Sequence, residues 1–393
     1  MSTARAGLGG AVGAVDDLEV VRDRLARSPG ELTPHRVAEA LRESGRPVGD
    51  AAVLAVYETL RRDVVGAGPL EPLLRTPGVT DVLVNGADHV YLDRGAGLEA
   101  TAVRFPDEDA VRRLAQRLAA LGGRRLDDAT PYADLRLPDG TRFHAVLAPL
   151  ARPGTLVSLR VPRARTFTVD ELIASGTLSA DTARVVTAVV AARLAFLVSG
   201  GTGSGKTTLL AALLSRVAAE ERLVVVEDAS ELRPDHPHVV ALEGRPPNIE
   251  GAGAIDVRTL VRQALRMRPD RLVVGEVRGG EVVDLLAALN TGHEGGCGTL
   301  HANSALDVPA RVEALALAAG LGRDAAHSQL ASAVDVVLHL ARGPDGVRRL
   351  RQVAVPERRP DGLVSMLPAL DVDDRGAAAP GPAAALLARR LDL

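Results

Sequence analysis

Nine consecutive residues concentrate the chemistry of this chain: Gly200-Gly201-Thr202-Gly203-Ser204-Gly205-Lys206-Thr207-Thr208. Glycines let a turn aim successive backbone N–H groups at one point without Cβ collisions, and a helix opening there adds the positive end of its dipole. An ammonium followed by a hydroxyl completes a receptor for clustered anionic oxygens. The spacing G-x-x-x-x-G-K-[ST] is that of a phosphate-binding loop, preceded here by the apolar run AFLVS and followed by TLLAALL. On this reading Gly200 to Thr208 cradle the phosphates of ATP, Lys206 reaches the β- and γ-phosphates, and Thr207 offers its hydroxyl to Mg²⁺. Among 47 Lys and Arg residues, Lys206 is the single lysine. A compact ammonium and a wide guanidinium fork are not interchangeable, so this slot is chemically specific.

Three further stretches supply ionisable groups. LVVVEDASEL ends an apolar run on Glu227, Asp228 and Glu231. Carboxylates at the carboxyl end of a parallel strand lie where open α/β sheets bind ligands, and one of these could polarise an attacking water. Asp228 suits equally well the capping of a following turn. RLVVGEVRGGE ends on Glu276, where an acidic residue beside a phosphate loop organises Mg²⁺ or its water shell. The candidate Mg²⁺ ligands, some through water, are therefore Thr207, Glu276 and Asp228. In TGHEGGCGTLHANS, His293 and His301 stand eight positions apart, which is not a metal spacing such as H-E-x-x-H. On spacing alone both histidines read as structural, the alternative being an imidazole that senses a terminal phosphate.

These residues need strands that end together and a helix that begins at Lys206. From Val169 to Val355, AFLVSG, RLVVVED, HVVALE, RLVVGEV and GGCGTLHA alternate with helical spans, which predicts a mostly parallel sheet covered on both faces. Residues 334–355 close it with a hairpin around Gly343–Gly346. Residues 356–393, rich in Ala, Pro and Gly, read as a flexible tail. Upstream, VTDVLVN and HVYLDR flank Gly86-Ala87-Asp88, while ADLRL and TRFHAVLA flank Pro138-Asp139-Gly140; LVSLRV follows. With an amphipathic helix over Asp107–Leu121 they predict a smaller α+β domain, residues 67–161. Arg142 and Arg160 fall on its strands, where a solvated face is the ordinary reading. The Arg-rich stretch 162–168 reads as a linker, and residues 1–66 as a helical arm with helices at Asp16–Arg27, Pro34–Gly45 and Asp50–Val65.

Composition narrows the partners. Fifty acidic residues against 47 basic ones give a net charge of −3, and aromatics are 2% with no Trp. A near-neutral chain with few stacking platforms argues against nucleic acid as a partner. The lone Cys297 excludes an internal disulfide and a Cys-rich zinc site. The longest apolar run, Val185–Val198, contains Arg193 and is shorter than the ~18–20 residues that span a bilayer. The N-terminus lacks the apolar core of a signal peptide, so any membrane association is expected to be peripheral.

Taken together, GGTGSGKTT, EDASEL, RPPNIEG, LVRQALRMRPDRLVVGEVRGGE and NTGHEGGCGTLHANS resemble the TadA/CpaF branch of the secretion ATPases. GPLEPLL, VTDVLVNG, VYLDR, GRRLDDATPYADLRLPDGTRFHAVLAPL and VSLRVPR are similar to that family's N-terminal domain, so the resemblance runs from about Gly68 to Val355. It implies an α/β fold with a C-terminal RecA-like P-loop NTPase domain, preceded by a smaller α+β domain and the helical arm. It implies an ATP- and Mg²⁺-dependent homohexamer on the cytoplasmic side of the membrane. There it would work with inner-membrane platform proteins of a Tad/Flp-type pilus or a type II/IV secretion machine. The resemblance also implies that Lys206, Glu231 and Glu276 are catalytic, the two carboxylates dividing water activation and Mg²⁺ organisation. It brings His293 and His301 to the nucleotide, against the reading from spacing, and carries Arg142 and Arg160 to the phosphates across a domain or subunit boundary. The linker then reads as a hinge. The tetracysteine insertion of the type II secretion branch is absent, and Cys297 stands where a larger residue is frequent. The rival readings are a conjugation-associated transfer ATPase and a nucleotide-gated scaffold with little turnover.

Overall fold

The computed structural model describes residues 33–43, 53–54, 56–57, 66–95, 97–162, 166–248 and 251–391. The helix expected at Asp16–Arg27, most of the one expected at Asp50–Val65, and residues 163–165 of the linker expected at 162–168 lie outside the described residues. The chain forms two compact units, residues 1–163 and 164–393.

In the first unit, helix α1 (Pro34–Glu43) puts Val37, Ala40 and Leu41 into a small cluster with Val53 and Val56. An antiparallel six-stranded sheet follows, built from β1 (Asp81–Asn85), β2 (His89–Asp93), β3 (Leu98–Ala100), β4 (Tyr132–Arg136), β5 (Arg142–Val146) and β6 (Leu156–Arg160), in the order β3-β2-β1-β6-β5-β4. Alternation decides its two faces. Val82, Val84, Phe143, Ala145, Val157 and Leu159 point to one side and are fully buried, sharing a core with Val111, Leu114, Ala115 and Leu118 of α2 (Glu108–Leu121). That helix starts where Asp107 accepts the Ala110 N–H at 2.7 Å, one of the orphan donors of a helix N-terminus. The opposite face carries the intervening polar residues, among them Arg142 and Arg160. The edge strand β3 went unread in the sequence, because Leu-Glu-Ala has no β-branched residue and all three positions are exposed.

The second unit is a nine-stranded sheet. Its strands are β7 (Phe196–Gly200), β8 (Leu223–Glu227), β9 (Val239–Glu243), β10 (Arg271–Val277), β11 (Cys297–Leu300), β12 (Val336–Arg342), β13 (Arg348–Arg358), β14 (Val364–Val372) and β15 (Ala378–Pro380). Their order is β15-β14-β13-β12-β7-β11-β10-β8-β9, parallel from β9 to β12 and antiparallel beyond. Neighbouring residues of a strand serve opposite cores. Phe196 and Val198 join α4 (Ala180–Ala191, after the short α3, Val169–Ala174) and α5 (Lys206–Leu214), whereas Leu197 joins α6 (Val257–Ala264), α7 (Glu281–Leu289), α8 (Val308–Ala318) and α9 (Arg323–Ala333). This two-sided burial explains why the strands read as unbroken apolar runs. The α/β fold expected from the sequence is the fold found.

The segment expected as a flexible tail is a correction. Residues 356–391 extend β13, add β14 and β15, and end in α10 (Ala384–Arg390), with Val364, Met366, Ala369 and Leu387 buried. His327 ties this segment to α9: its Nδ1 accepts the Val364 N–H at 2.9 Å while Nε2 faces Glu313 at 2.9 Å. Ala, Gly and Pro have low β propensity, so the composition hid a strand that its pairing with β13 creates.

Candidate active site

Four neighbouring parallel strands, β7, β11, β10 and β8, bring their carboxyl ends side by side, which is where sheets of this kind bind ligands. β7 delivers Gly200 and the loop to Gly205. At Gly205 the backbone adopts φ +98°, a left-handed conformation that favours glycine, and α5 opens immediately afterwards at Lys206. β11 delivers His301, β10 carries Glu276, and β8 ends on Glu227 with Asp228 beyond it.

A chain of charged contacts joins these ends. The Lys206 ammonium is buried, donates to the carbonyls of Gly200 and Gly201 at 3.0 Å each, and lies 3.3 Å from His301 Nε2. The same nitrogen is 2.6 Å from Glu276 Oε1. Glu276 Oε2 is 2.5 Å from Arg278 Nη2, and Arg278 Nη1 donates to Asp228 Oδ2 at 2.7 Å. A lysine ammonium can only donate, so in the 3.3 Å contact His301 Nε2 is the acceptor, while Glu276 Oε1, though close to that ring, has no hydrogen-bond partner of its own. Burial lowers the Lys206 pKa, with Arg278 adding to that effect and Glu276 opposing it. Burial, then the neighbouring Lys206, lowers that of His301 against the pull of Glu276. The imidazole therefore favours its neutral form, a donor toward oxygen that carries no fixed charge.

Glu227 has a different environment. It is 4% exposed, and its Oε1 accepts the N–H groups of Glu231 and Leu232 at 3.1 Å each. Burial pushes its pKa up to about 7, against those two hydrogen bonds. The space it occupies comes from the neighbouring strand: a Cβ on Gly275 would stand 2.4 Å from Glu227 Cγ. Glu227 thus pins the loop that displays Asp228 and Glu231, both of which are exposed.

The residues present fit a polyphosphate. Ser204 Oγ is buried in the loop without a hydrogen-bond partner, and Lys206 spends its donors on the loop's own carbonyls. Among the described residues no group of three His, Cys, Asp or Glu could hold a metal unaided. Of the residues expected to meet Mg²⁺, Thr207, Glu276 and Asp228, the two carboxylates are both engaged by Arg278.

Not every expected residue is brought together. His293 does not join His301; its Nδ1 lies 3.1 Å from the Ala288 carbonyl, at the end of α7. That carbonyl also accepts the Thr291 N–H at 3.0 Å and the Thr291 hydroxyl at 3.1 Å, so the ring shares a local acceptor at the end of the helix. Arg142 and Arg160 face each other across β5 and β6 in the first unit and pair with Asp134 (2.9 Å) and Asp81 (3.1 Å). Cys297 is buried, its thiol pushed up to about 12, and has no nucleophilic role. The sequence reading gave Arg278 no role, although its spacing of two from Glu276 at a strand end was a signal that both could turn to the same side.

A phosphate loop between a buried strand and an inward helix, with an imidazole and a carboxylate on adjacent parallel strands, is the plan of a P-loop ATPase. The family described as Type II/IV secretion system protein matches residues 63–362, and this chain belongs to that family of ATPases. It is 58% identical over 314 residues to a protein of Mycobacterium tuberculosis (strain ATCC 25618 / H37Rv) provisionally named a conjugal transfer protein, covering 78% of this chain and 89% of that one. It is 30% identical over 311 residues to the type IV secretion system protein VirB11 of Brucella suis biovar 1 (strain 1330), covering 72% and 86%. Among solved structures, the ADP-bound pilus retraction motor PilT aligns with a TM-score of 0.51 at 20% identity, over 72% of this chain and 81% of that one. No helix among the described residues is long and apolar enough to cross a membrane.

Proposed function

We propose that this chain is a Mg²⁺-dependent ATP hydrolase that assembles as a homohexamer and drives a type II/IV secretion machine of the TadA/CpaF pilus-assembly branch. The observation that carries this reading is the contiguity of Lys206, His301 and Glu276, within 3.3 and 2.6 Å at the ends of three adjacent strands. Lys206 and the loop amides hold the phosphates. Thr207 and Glu276, with Asp228 through water, hold the Mg²⁺, which when bound neutralises phosphate charge. Glu231 and Glu276 orient the attacking water, and His301 donates toward the terminal phosphate. For Asp228 and Glu276 to turn to a cation, Arg278 must release them. The family resemblance assigns Arg142 and Arg160 to the phosphates; their surface pairs with aspartates are weak enough to exchange for a stronger anion. The motor would work at the cytoplasmic face of the membrane through platform proteins.

The names of the relatives favour a second reading, a transfer ATPase of conjugation. Turnover stimulated by DNA supports that reading, and DNA-independent turnover supports the first.

The primary test is the steady-state ATPase rate per subunit against protein concentration, with Mg²⁺ present. A rate that rises steeply and then plateaus is expected of sites completed between subunits. A flat rate in a sample whose mass shows only monomer sinks the ring.

A further inference from the structure

The hairpin of β12 and β13 touches the phosphate loop at both of its ends. A Cβ on Gly200 would stand 2.4 Å from the Leu340 carbonyl oxygen, and one on Gly205 would stand 3.4 Å from Arg348 Cδ. These contacts follow from register: Leu340 of β12 is the partner of Gly200 in β7, and Arg348 opens the returning strand opposite Arg342. The aliphatic stem of Arg348 therefore lies along Gly205, the last residue before the α5 N-terminus.

The arginines around it are committed elsewhere. Arg342 Nε donates to the Gly346 carbonyl at 2.9 Å, Arg349 pairs with Asp345 at 2.7 Å, and Arg351 pairs with Asp374 at 2.7 Å. Arg348 differs. Its Nε is buried without a hydrogen-bond partner, and no carboxylate among the described residues forms an ion pair with it. A buried, unsatisfied guanidinium N–H carries a desolvation cost with nothing in the protein to offset it. Ser204 Oγ, in the loop that Arg348 flanks, is also buried and unsatisfied. Two unspent polar groups beside one phosphate loop point to a shared ligand, and a guanidinium fork matches phosphate oxygens better than any other side chain.

We propose that Arg348 is a ligand of the nucleotide's phosphate chain, supplied by the same subunit from the Gly205 side of the loop. This rests on the reading of the loop as the ATP site. It adds a cation that the sequence motif does not contain, since Arg348 lies 142 positions beyond Lys206 (348 − 206).

The test is equilibrium binding of a fluorescent ATP analogue, with Mg²⁺, to the full chain and to R348A, R348K and Lys206→Ala. Competition by tripolyphosphate and the melting temperature without nucleotide complete the measurement. R348A is expected to weaken binding about tenfold, and R348K to recover part of the loss, as removing a charge-assisted hydrogen bond predicts. Tripolyphosphate should lose potency by a similar factor, while the nucleotide-free melting temperature stays at the parent's value. Unchanged affinity in R348A overturns the proposal. So does a loss of ATP binding with tripolyphosphate competition intact, which would move the contact to the nucleoside. A loss matched by a fall in the nucleotide-free melting temperature assigns Arg348 to packing and likewise overturns it. If instead Lys206→Ala binds as tightly as the parent, the reading of the loop itself falls, and this inference with it.

Discussion

Arginine and carboxylate meet in both units of this chain, in two different physical settings. On the open face of the six-stranded sheet, Arg160 pairs with Asp81 and Arg142 with Asp134, the two arginine side chains being 62% and 39% exposed. At the end of the nine-stranded sheet, Arg278 holds Glu276, whose side chain is only 17% exposed and which also lies 2.6 Å from His301. Water screens the first pairs, so exchanging an aspartate for another anion costs little. The second is a connected set in which moving one member disturbs the protonation and position of the rest. Exposed pairs suit residues that must meet a ligand delivered to them. A set coupled through one largely buried carboxylate suits residues that must already be in place when it arrives.

The comparison can be broken at three levels. Glu276→Gln keeps the shape and removes the charge. It should retain bound ATP while turnover falls on the order of 10²-fold or more, read by single-turnover hydrolysis; hydrolysis at the parent rate ends the assignment of that carboxylate. Glu227→Gln tests burial instead of catalysis. Its folded pKa is raised from 4.5 to about 7, so the folded state binds the proton more tightly than the unfolded state does. Parent stability therefore falls as pH rises from about 4.5 to 7 and levels off above. The glutamine can still accept the Glu231 and Leu232 N–H groups and escapes that loss. It should be the more stable protein at pH 8, by as much as about 3 kcal/mol, with the gap closing toward pH 4.5. Denaturation curves that stay parallel between those pH values contradict the buried-charge account. The smallest effect belongs to the open face. Removing the side chains of Arg142 and Arg160 should shift unfolding free energy by no more than about 1 kcal/mol per pair. Turnover should nevertheless fall, and a large loss of stability would show the two arginines to be structural.

Some of the site was legible because its signals are local. A phosphate loop is a run of adjacent residues, and the apolar runs before Lys206, Glu227 and Glu276 announce strands without reference to anything distant. The tail was misread for the opposite reason. Val364 and Met366 are buried by β13, α8 and α9, and the Ala, Gly and Pro around them carry no strand signal of their own. His293 finds a partner close in sequence, its ring facing the Ala288 carbonyl five residues back.

The sequence by itself determined the phosphate loop, the one lysine in it, the two-sided parallel sheet and the order in which its strands arrive. Tertiary structure alone decided which charged groups touch. The strand order β7-β11-β10-β8 sets His301 between Lys206 and Glu276, residues 95 positions before it (301 − 206) and 25 (301 − 276). The same packing aligned Gly275 with Glu227 and laid Arg348 along Gly205. The physical reason is one of range. Backbone conformation and apolar periodicity are set by near neighbours in the chain, whereas burial, hydrogen-bond satisfaction and charge coupling depend on residues that only the closed sheet brings within a few ångströms.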